Sequence, residues 1–123
     1  MIVIAEDNPQ MRRMIRNLVE DIDAEIRECS DGTEAMQIFD EHQPDWLLMD
    51  IGMRPMDGLT ATREIISRHP AARIVIVSEL ADTRTREKAF ALGASAFVSK
   101  DDLMSLRDLL KTADKDRATA RSF

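Results

Sequence analysis

Glu6, Asp7, Asp50, Ser78 and Lys100 have side chains suited to cation or phosphoryl chemistry, and each closes an apolar run. Glu6 and Asp7 follow Met1-Ile2-Val3-Ile4-Ala5, and Asp50 follows Trp46-Leu47-Leu48-Met49. Ser78 follows Ile74-Val75-Ile76-Val77, and Lys100 follows the short run from Ser95 to Ser99. Carboxylates brought together repel one another and raise each other's pKa. A hard divalent cation with oxygen preference, Mg²⁺ above all, relieves that repulsion. A lysine ammonium and a serine hydroxyl beside such a cation suit the oxygens of a phosphoryl group, and a carboxylate such as Asp50 is able to attack phosphorus. Taken singly, each is an ordinary turn residue at the end of a strand. Their recurrence at successive strand ends points to one site.

The elements that must position them follow from the spacing of apolar residues. Uninterrupted apolar runs of four or five residues read as strands buried on both faces. Strand one spans Met1 to Ala5; Asn8 then serves as N-cap, with Pro9 at the first helical position. Met11, Ile15, Leu18 and Ile22 mark the buried stripe of helix one. A weaker strand, nearer an edge, runs from Ala24 to Cys29. Asp31 and Glu34 resemble a capping box for helix two, which turns Ala35, Ile38 and Phe39 inward and stops before Pro44. Strand three is Trp46 to Met49. The loop Ile51 to Met56 carries Gly52 and Pro55, and Asp57-Gly58 opens helix three, where Leu59, Thr62, Ile66 and His69 follow the helical period. Strand four, Arg73 to Val77, ends in Ser78. Asp82 or Thr83 caps helix four, which carries Ala89 and Leu92 inward and has Gly93 as its C′ residue. Strand five, Ser95 to Val98, ends at Ser99-Lys100; Asp101 or Asp102 starts helix five, striped by Leu103, Leu106 and Leu110. Five alternations of strand and helix predict an α/β, doubly wound parallel sheet with right-handed crossovers. The flavodoxin-like order 2-1-3-4-5 fits the element count. In that order strands one and three are neighbours, so Glu6, Asp7 and Asp50 converge on one rim.

Composition narrows the classes. The 123 residues suit a single domain, and 44% hydrophobic content fills one core. A net charge of -6 argues against nucleic-acid binding by electrostatics alone. The single cysteine, Cys29, leaves no internal disulfide, and without a nearby His or second Cys it reads as a partly buried strand residue. No CxxC, HExxH, P-loop or GxGxxG motif is present. His42 reads as a helix-end histidine, the methionines as adaptable core filler, and Arg84, Arg86, Glu87 and Lys88 as a solvated helix face or a docking surface. No signal peptide or long apolar span is visible, so a cytoplasmic protein without membrane contact is expected.

These motifs together resemble the receiver domain of two-component response regulators, over residues 1 to about 112, with 113–123 left as a polar C-terminal tail or the start of a linker. Glu6-Asp7 looks like the family's acid pair. Asp50, with Met53, Met56, Asp57 and Gly58 behind it, looks like the phosphoacceptor and its following motif. Ser78 falls at the switch hydroxyl, Lys100 at the family lysine, and Phe97 at the aromatic switch position, although its place on a strand reads equally as a core aromatic. The resemblance implies that a sensor histidine kinase or phosphotransfer protein donates a phosphoryl group to Asp50. It implies Mg²⁺ held directly by Asp7 and Asp50, through water by Glu6, and by the backbone carbonyl of Gly52. Phosphorylation would draw in Ser78, rotate Phe97 inward, and remodel the surface of helix four, strand five and helix five for a downstream protein, an output domain or a homodimer partner. The added charge of about -1.5 to -2 would bias that two-state element. Catalysis would extend no further than the domain's own phosphorylation and dephosphorylation.

Three positions depart from the family. Arg54 stands four residues after Asp50, where the family usually has Pro, and Pro55 comes next. Glu79 follows Ser78, where a small residue is usual, and a carboxylate there predicts slow or selective phosphorylation. Asp101 follows Lys100, where the family often has Pro. Two further readings compete with the switch. One is a receiver-like interaction module not regulated by phosphorylation, favoured by Arg54 and Glu79. The other is a small Mg²⁺-dependent phosphatase-like enzyme with Asp50 as nucleophile, opposed by the lack of a substrate-covering domain. No helix-turn-helix pattern is visible, so no direct nucleic-acid contact is expected of this chain.

Overall fold

Strands and helices alternate along the chain in the computed structural model, which describes residues 1–23 and 25–121, and of 114–121 only the helical backbone. The strands are β1 (Ile2–Ala5), β2 (Ile26–Cys29), β3 (Trp46–Met49), β4 (Ile74–Ser78) and β5 (Ala96–Ser99). The helices are α1 (Pro9–Val19), α2 (Gly32–His42), α3 (Gly58–Arg68), α4 (Thr83–Ala91) and α5 (Met104–Arg121), with a 3-10 turn at Lys100–Asp102. All strands are parallel, in the order β2-β1-β3-β4-β5 that the sequence predicts. The order reverses between β1 and β3, and such switch points leave a crevice at the carboxyl ends of the strands.

Alternation along the strands divides the core into two layers. Val3, Ala5, Leu47, Met49, Ile74, Ile76 and Phe97 pack with Ala35 and Phe39 of α2, Ala61 and Ile65 of α3, and Ala89 of α4. Ile2, Ile4, Trp46, Leu48, Val75, Val77 and Val98 pack with Ile15 and Val19 of α1 and Leu106 and Leu110 of α5. Each large aliphatic side chain so buried contributes about 1.5–3 kcal/mol. Edge strand β2 is the exception, with Arg27 and Glu28 exposed.

The helix caps are chemical. Asn8 Oδ1 accepts from Met11 N–H at 3.0 Å, Asp31 Oδ1 from Thr33 N–H at 2.6 Å, and Asp57 Oδ1 from Thr60 N–H at 2.9 Å. Of the two candidates for α4, Asp82 is the cap. Gly93 lies just beyond α4 with φ 108°, the left-handed conformation expected of a C′ glycine.

Several expectations are corrected. In α3, Thr62 is buried as expected and Leu59 and Ile66 pack half-buried against the core, but the most deeply buried positions are Gly58, Ala61, Thr62 and Ile65, and His69 leaves the stripe. At the helix start a Cβ on Gly58 would overlap the Asp50 carbonyl, so α3 begins in close contact with that residue. His69 is the C-cap instead, and its ring nitrogen hydrogen-bonds Asp40 at 2.8 Å. Neither Asp101 nor Asp102 starts α5; Ser99 Oγ accepts from Asp101 N–H at 3.1 Å and opens the 3-10 turn that precedes Met104. Helix α1 ends at Val19, so Ile22 packs from the following turn. Strand β2 begins at Ile26, and Ala24 lies outside the described residues. The backbone of α5 continues past residue 112 to Arg121, into the stretch expected to be a tail; residues 122–123 lie outside the described residues.

Candidate functional site

Strand pairing brings the sequence-selected residues to one rim. Asp50 N–H donates to the Ala5 carbonyl at 2.9 Å, so Asp50 sits directly beside Glu6 at the ends of β3 and β1. Glu6 N–H donates to the Cys29 carbonyl at 3.0 Å and extends the β1–β2 ladder by a residue. Ser78 pairs with Ser99 across β4 and β5, which starts Lys100 at the same level of the sheet. From there the Lys100 side chain reaches back across the rim. Its Nζ lies 2.6 Å from Glu6 Oε1 and 3.1 Å from Asp50 Oδ1. Arg12 of α1 donates to the Glu6 carbonyl at 2.8 Å and pins the turn between strand and helix.

Burial sets the electrostatics. Glu6 is 1% exposed, and desolvation pushes its carboxyl up to about 7; the Lys100 hydrogen bond opposes that rise and the Asp50 charge adds to it. Burial pulls the Lys100 ammonium down, but its bonds to Glu6 and Asp50 outweigh burial and hold its pKa above the usual lysine value. Glu6, Asp7 and Asp50 each present an oxygen, all within 4.8 Å of one another. A buried, a half-buried and an exposed carboxylate in that space form an all-oxygen donor set of the kind a hard divalent cation takes. The residues present therefore fit Mg²⁺.

A cavity of about 310 Å³ opens over this group, lined by Glu6, Asp7, Asn8, Asp50, Ile51, Gly52, Ser78, Glu79, Leu80 and Lys100. Ser78 is buried, and its Oγ accepts from Leu80 N–H at 3.0 Å, leaving its own proton free to be directed elsewhere. Gly52 has open space where a Cβ would stand, so sterics alone do not require glycine there. Phe97 lies apart from the cavity. Its ring is 8% exposed, within the core layer, with the Arg86 guanidinium 5.0 Å from the ring centroid. The inward rotation expected of Phe97 thus meets a ring that is already buried. Arg86 is exposed, as expected of the solvated helix face, and its guanidinium also stacks on the Phe97 ring.

Sequence reasoning missed Asn8 and Leu80 as cavity residues. Asn8 adjoins the acid pair, so its cap role hid its position at the rim. Leu80 offered no signal, because an exposed leucine two residues beyond a strand looks like any loop residue. It also missed the obligatory contact of Gly58 with Asp50.

A doubly wound α/β domain with an acid trio and a lysine at its switch point is what fold and site define. The chain belongs to the response regulator receiver domain family, whose description matches residues 2–113. It is 36% identical over 100 residues to the chemotaxis protein CheY of Listeria monocytogenes, covering 80% of this chain and 84% of that protein. It is 33% identical over 103 residues to the transcriptional regulatory protein YhcZ of Bacillus subtilis, but covers only 48% of it. Among solved structures, a LuxR-family two-component response regulator from Aurantimonas superposes with a TM-score of 0.83 at 31% identity, over 91% of this chain and 82% of that one. No helix among the described residues is long and apolar enough to cross a membrane.

Proposed function

We propose that the chain, as a receiver domain, is a phosphoryl-controlled signalling switch with Asp50 as acceptor. The observation that carries this reading is the reach of Lys100 to both Glu6 and Asp50, which ties an ammonium to the acid trio under an open cavity. The donor is a sensor histidine kinase or a phosphotransfer protein. An Asp50 oxygen forms the new bond to phosphorus, the phosphorus–nitrogen bond of the donor histidine breaks, and the imidazole leaves with the electron pair and takes up a proton. Asp7, Asp50 and the Gly52 carbonyl would hold Mg²⁺ directly and Glu6 through water, and the ion would supply positive charge for the phosphoryl oxygens. Lys100 neutralises a further oxygen, and the Ser78 hydroxyl turns its free proton toward the group. The change is read through the surface of α4, β5 and α5 by a downstream protein, an output domain or a second copy of the chain. Residues 1–112 form the switch, with 113–123 as a polar C-terminal tail or the start of a linker. Chemistry ends with the domain's own phosphorylation and hydrolysis, in a cytoplasmic protein that does not itself touch nucleic acid.

One observation favours a second reading, an interaction module indifferent to phosphorylation: Phe97, the residue at the switch position, packs in the core layer with Arg86 over its ring. Intact mass after incubation with Mg²⁺ and acetyl phosphate separates the two. A single labile phosphoryl adduct on the wild type, missing from Asp50→Asn, supports the switch. Failure of both acetyl phosphate and phosphorylated histidine kinases to label the chain leaves the interaction module.

A further inference from the structure

We propose that Arg12 is a positioning residue for the Mg²⁺ site and that Glu28, on the edge strand β2, holds it in place. Arg12 acts through the peptide group that joins Glu6 to Asp7. This rests on the acid trio being the cation site. Both backbone groups of Glu6 are engaged from outside the trio. Its N–H donates to the Cys29 carbonyl at 3.0 Å, and its carbonyl accepts from Arg12 Nη1 at 2.8 Å. Peptide groups are planar, so holding the plane on either side of Glu6 holds both of its soft dihedrals. The second plane also contains the N–H of Asp7, and it sets the direction in which the chain runs on to that carboxylate.

Two elements build this clamp. Arg12 stands at the end of the first turn of α1, and helix side chains lean toward the N-terminus, which carries its guanidinium back over the β1–α1 turn. Glu28 is in register with Ile4, whose side chain packs in the layer with α1, so Glu28 faces α1 as well. Its Oε1 lies 3.5 Å from Arg12 Nε, and its Oε2 lies 3.0 Å from Arg16 Nη1, one helical turn further on. The Arg12 fork thus spans a carbonyl at the site and a carboxylate on the sheet edge. A lysine, with a single ammonium on a flexible stem, lacks the fork that fixes both. Charge and placement make opposite predictions for this residue. A guanidinium beside the acid pair repels a divalent cation, so on charge alone its removal tightens Mg²⁺ binding. If Arg12 positions the carboxylates, its removal weakens that binding.

Calorimetric Mg²⁺ titration of the wild type, Arg12→Met, Arg12→Lys and Arg13→Met tests this, with thermal midpoints of the same proteins in metal-free buffer. Arg13 is the exposed neighbour and controls for the loss of one charge. Affinity should fall about tenfold in Arg12→Met and nearly as far in Arg12→Lys, as for outer residues that orient metal ligands. It should stay within about twofold in Arg13→Met, whose charge is screened by solvent. Glu28→Gln should lose about two- to fivefold alone. It should lose nothing further in the Arg12→Met background, because Glu28 acts through Arg12. Labelling of Asp50 by acetyl phosphate should need correspondingly more Mg²⁺ in Arg12→Met, with the rate at saturating Mg²⁺ little changed. Tighter or unchanged Mg²⁺ binding in Arg12→Met, whatever its midpoint, overturns the positioning role, and so does wild-type affinity in Arg12→Lys. A Glu28→Gln loss that persists in the Arg12→Met background overturns Glu28 as the holder of Arg12. A wild type that binds no Mg²⁺ removes the cation reading of the site, and this proposal with it.

Discussion

Asp50 and its neighbours hold opposing charges at close range, and the balance among them is open to measurement. Among the described residues, Lys100 is the one ammonium that meets both Glu6 and Asp50. Removing one partner from a shielded ion pair costs more than the pair contributes, because the remaining charges lose their compensation. Lys100→Met should therefore lower the thermal midpoint in metal-free buffer, and Mg²⁺ should recover part of the loss. Ligand binding to the native state stabilises by RT ln(1 + [L]/Kd), about 2.7 kcal/mol at a hundredfold excess over Kd. The wild-type midpoint should rise with Mg²⁺ on that law. Asp50→Asn should lose most of the rise, since it replaces one of the three converging carboxylates with a neutral amide. An equal Mg²⁺ response in both proteins would move the cation site away from Asp50.

Helix α3 shows how an element holds a residue in place. Its cap, Asp57, accepts from Thr60 N–H at 2.9 Å and from the Thr60 hydroxyl at 2.8 Å, while the next residue, Gly58, presses on the Asp50 carbonyl. The two positions separate stability from placement. Asp57→Ala removes the cap and should cost about 0.5–2 kcal/mol by urea denaturation, with Mg²⁺ affinity little changed. Gly58→Ala forces the helix and Asp50 apart and should cost about 1–3 kcal/mol. It should also weaken Mg²⁺ binding, because the displaced atom belongs to the acceptor residue itself. Comparable Mg²⁺ affinity in both variants would show that the helix start tolerates Gly58→Ala without moving Asp50.

Across the whole molecule, α1 and α5 cover the same sheet face and are tied by Arg107. Its Nη1 donates to the Leu18 carbonyl at 2.8 Å and to Asp21 Oδ1 at 2.6 Å, and its Nη2 to Asp21 Oδ2 at 2.7 Å. The Arg107 hydrogen bonds hold the Asp21 carboxyl down at about 2. A carboxyl lowered on folding stabilises above its unfolded pKa, and that contribution disappears as pH falls through the folded value. Asp21→Asn should therefore melt below wild type at neutral pH, with the difference closing between the ordinary aspartate range and about pH 2. A constant difference down to the acid limb would assign the loss to packing. Beneath this tie, Leu106 and Leu110 are wholly buried, and truncating either to Ala should cost about 2–5 kcal/mol.

Strand alternation, the element order and the rim of Glu6, Asp7, Asp50, Ser78 and Lys100 were all legible in the sequence. Apolar runs buried on both faces and short polar caps are local signals, and the parallel crossover rules leave few ways to assemble them. The resemblance to receiver domains followed from those same residues. Other features depended on contacts between distant segments. The close contact of Gly58 with the Asp50 carbonyl joins α3 to the end of β3, and no helical period encodes it. The burial of Phe97 under Arg86 joined β5 to α4, and the depth difference between Asp50 and Glu79 came from two strand ends meeting at one cavity. Local chemistry chose the elements and the reactive residues; long-range packing chose how deep each residue sits and which charges face one another.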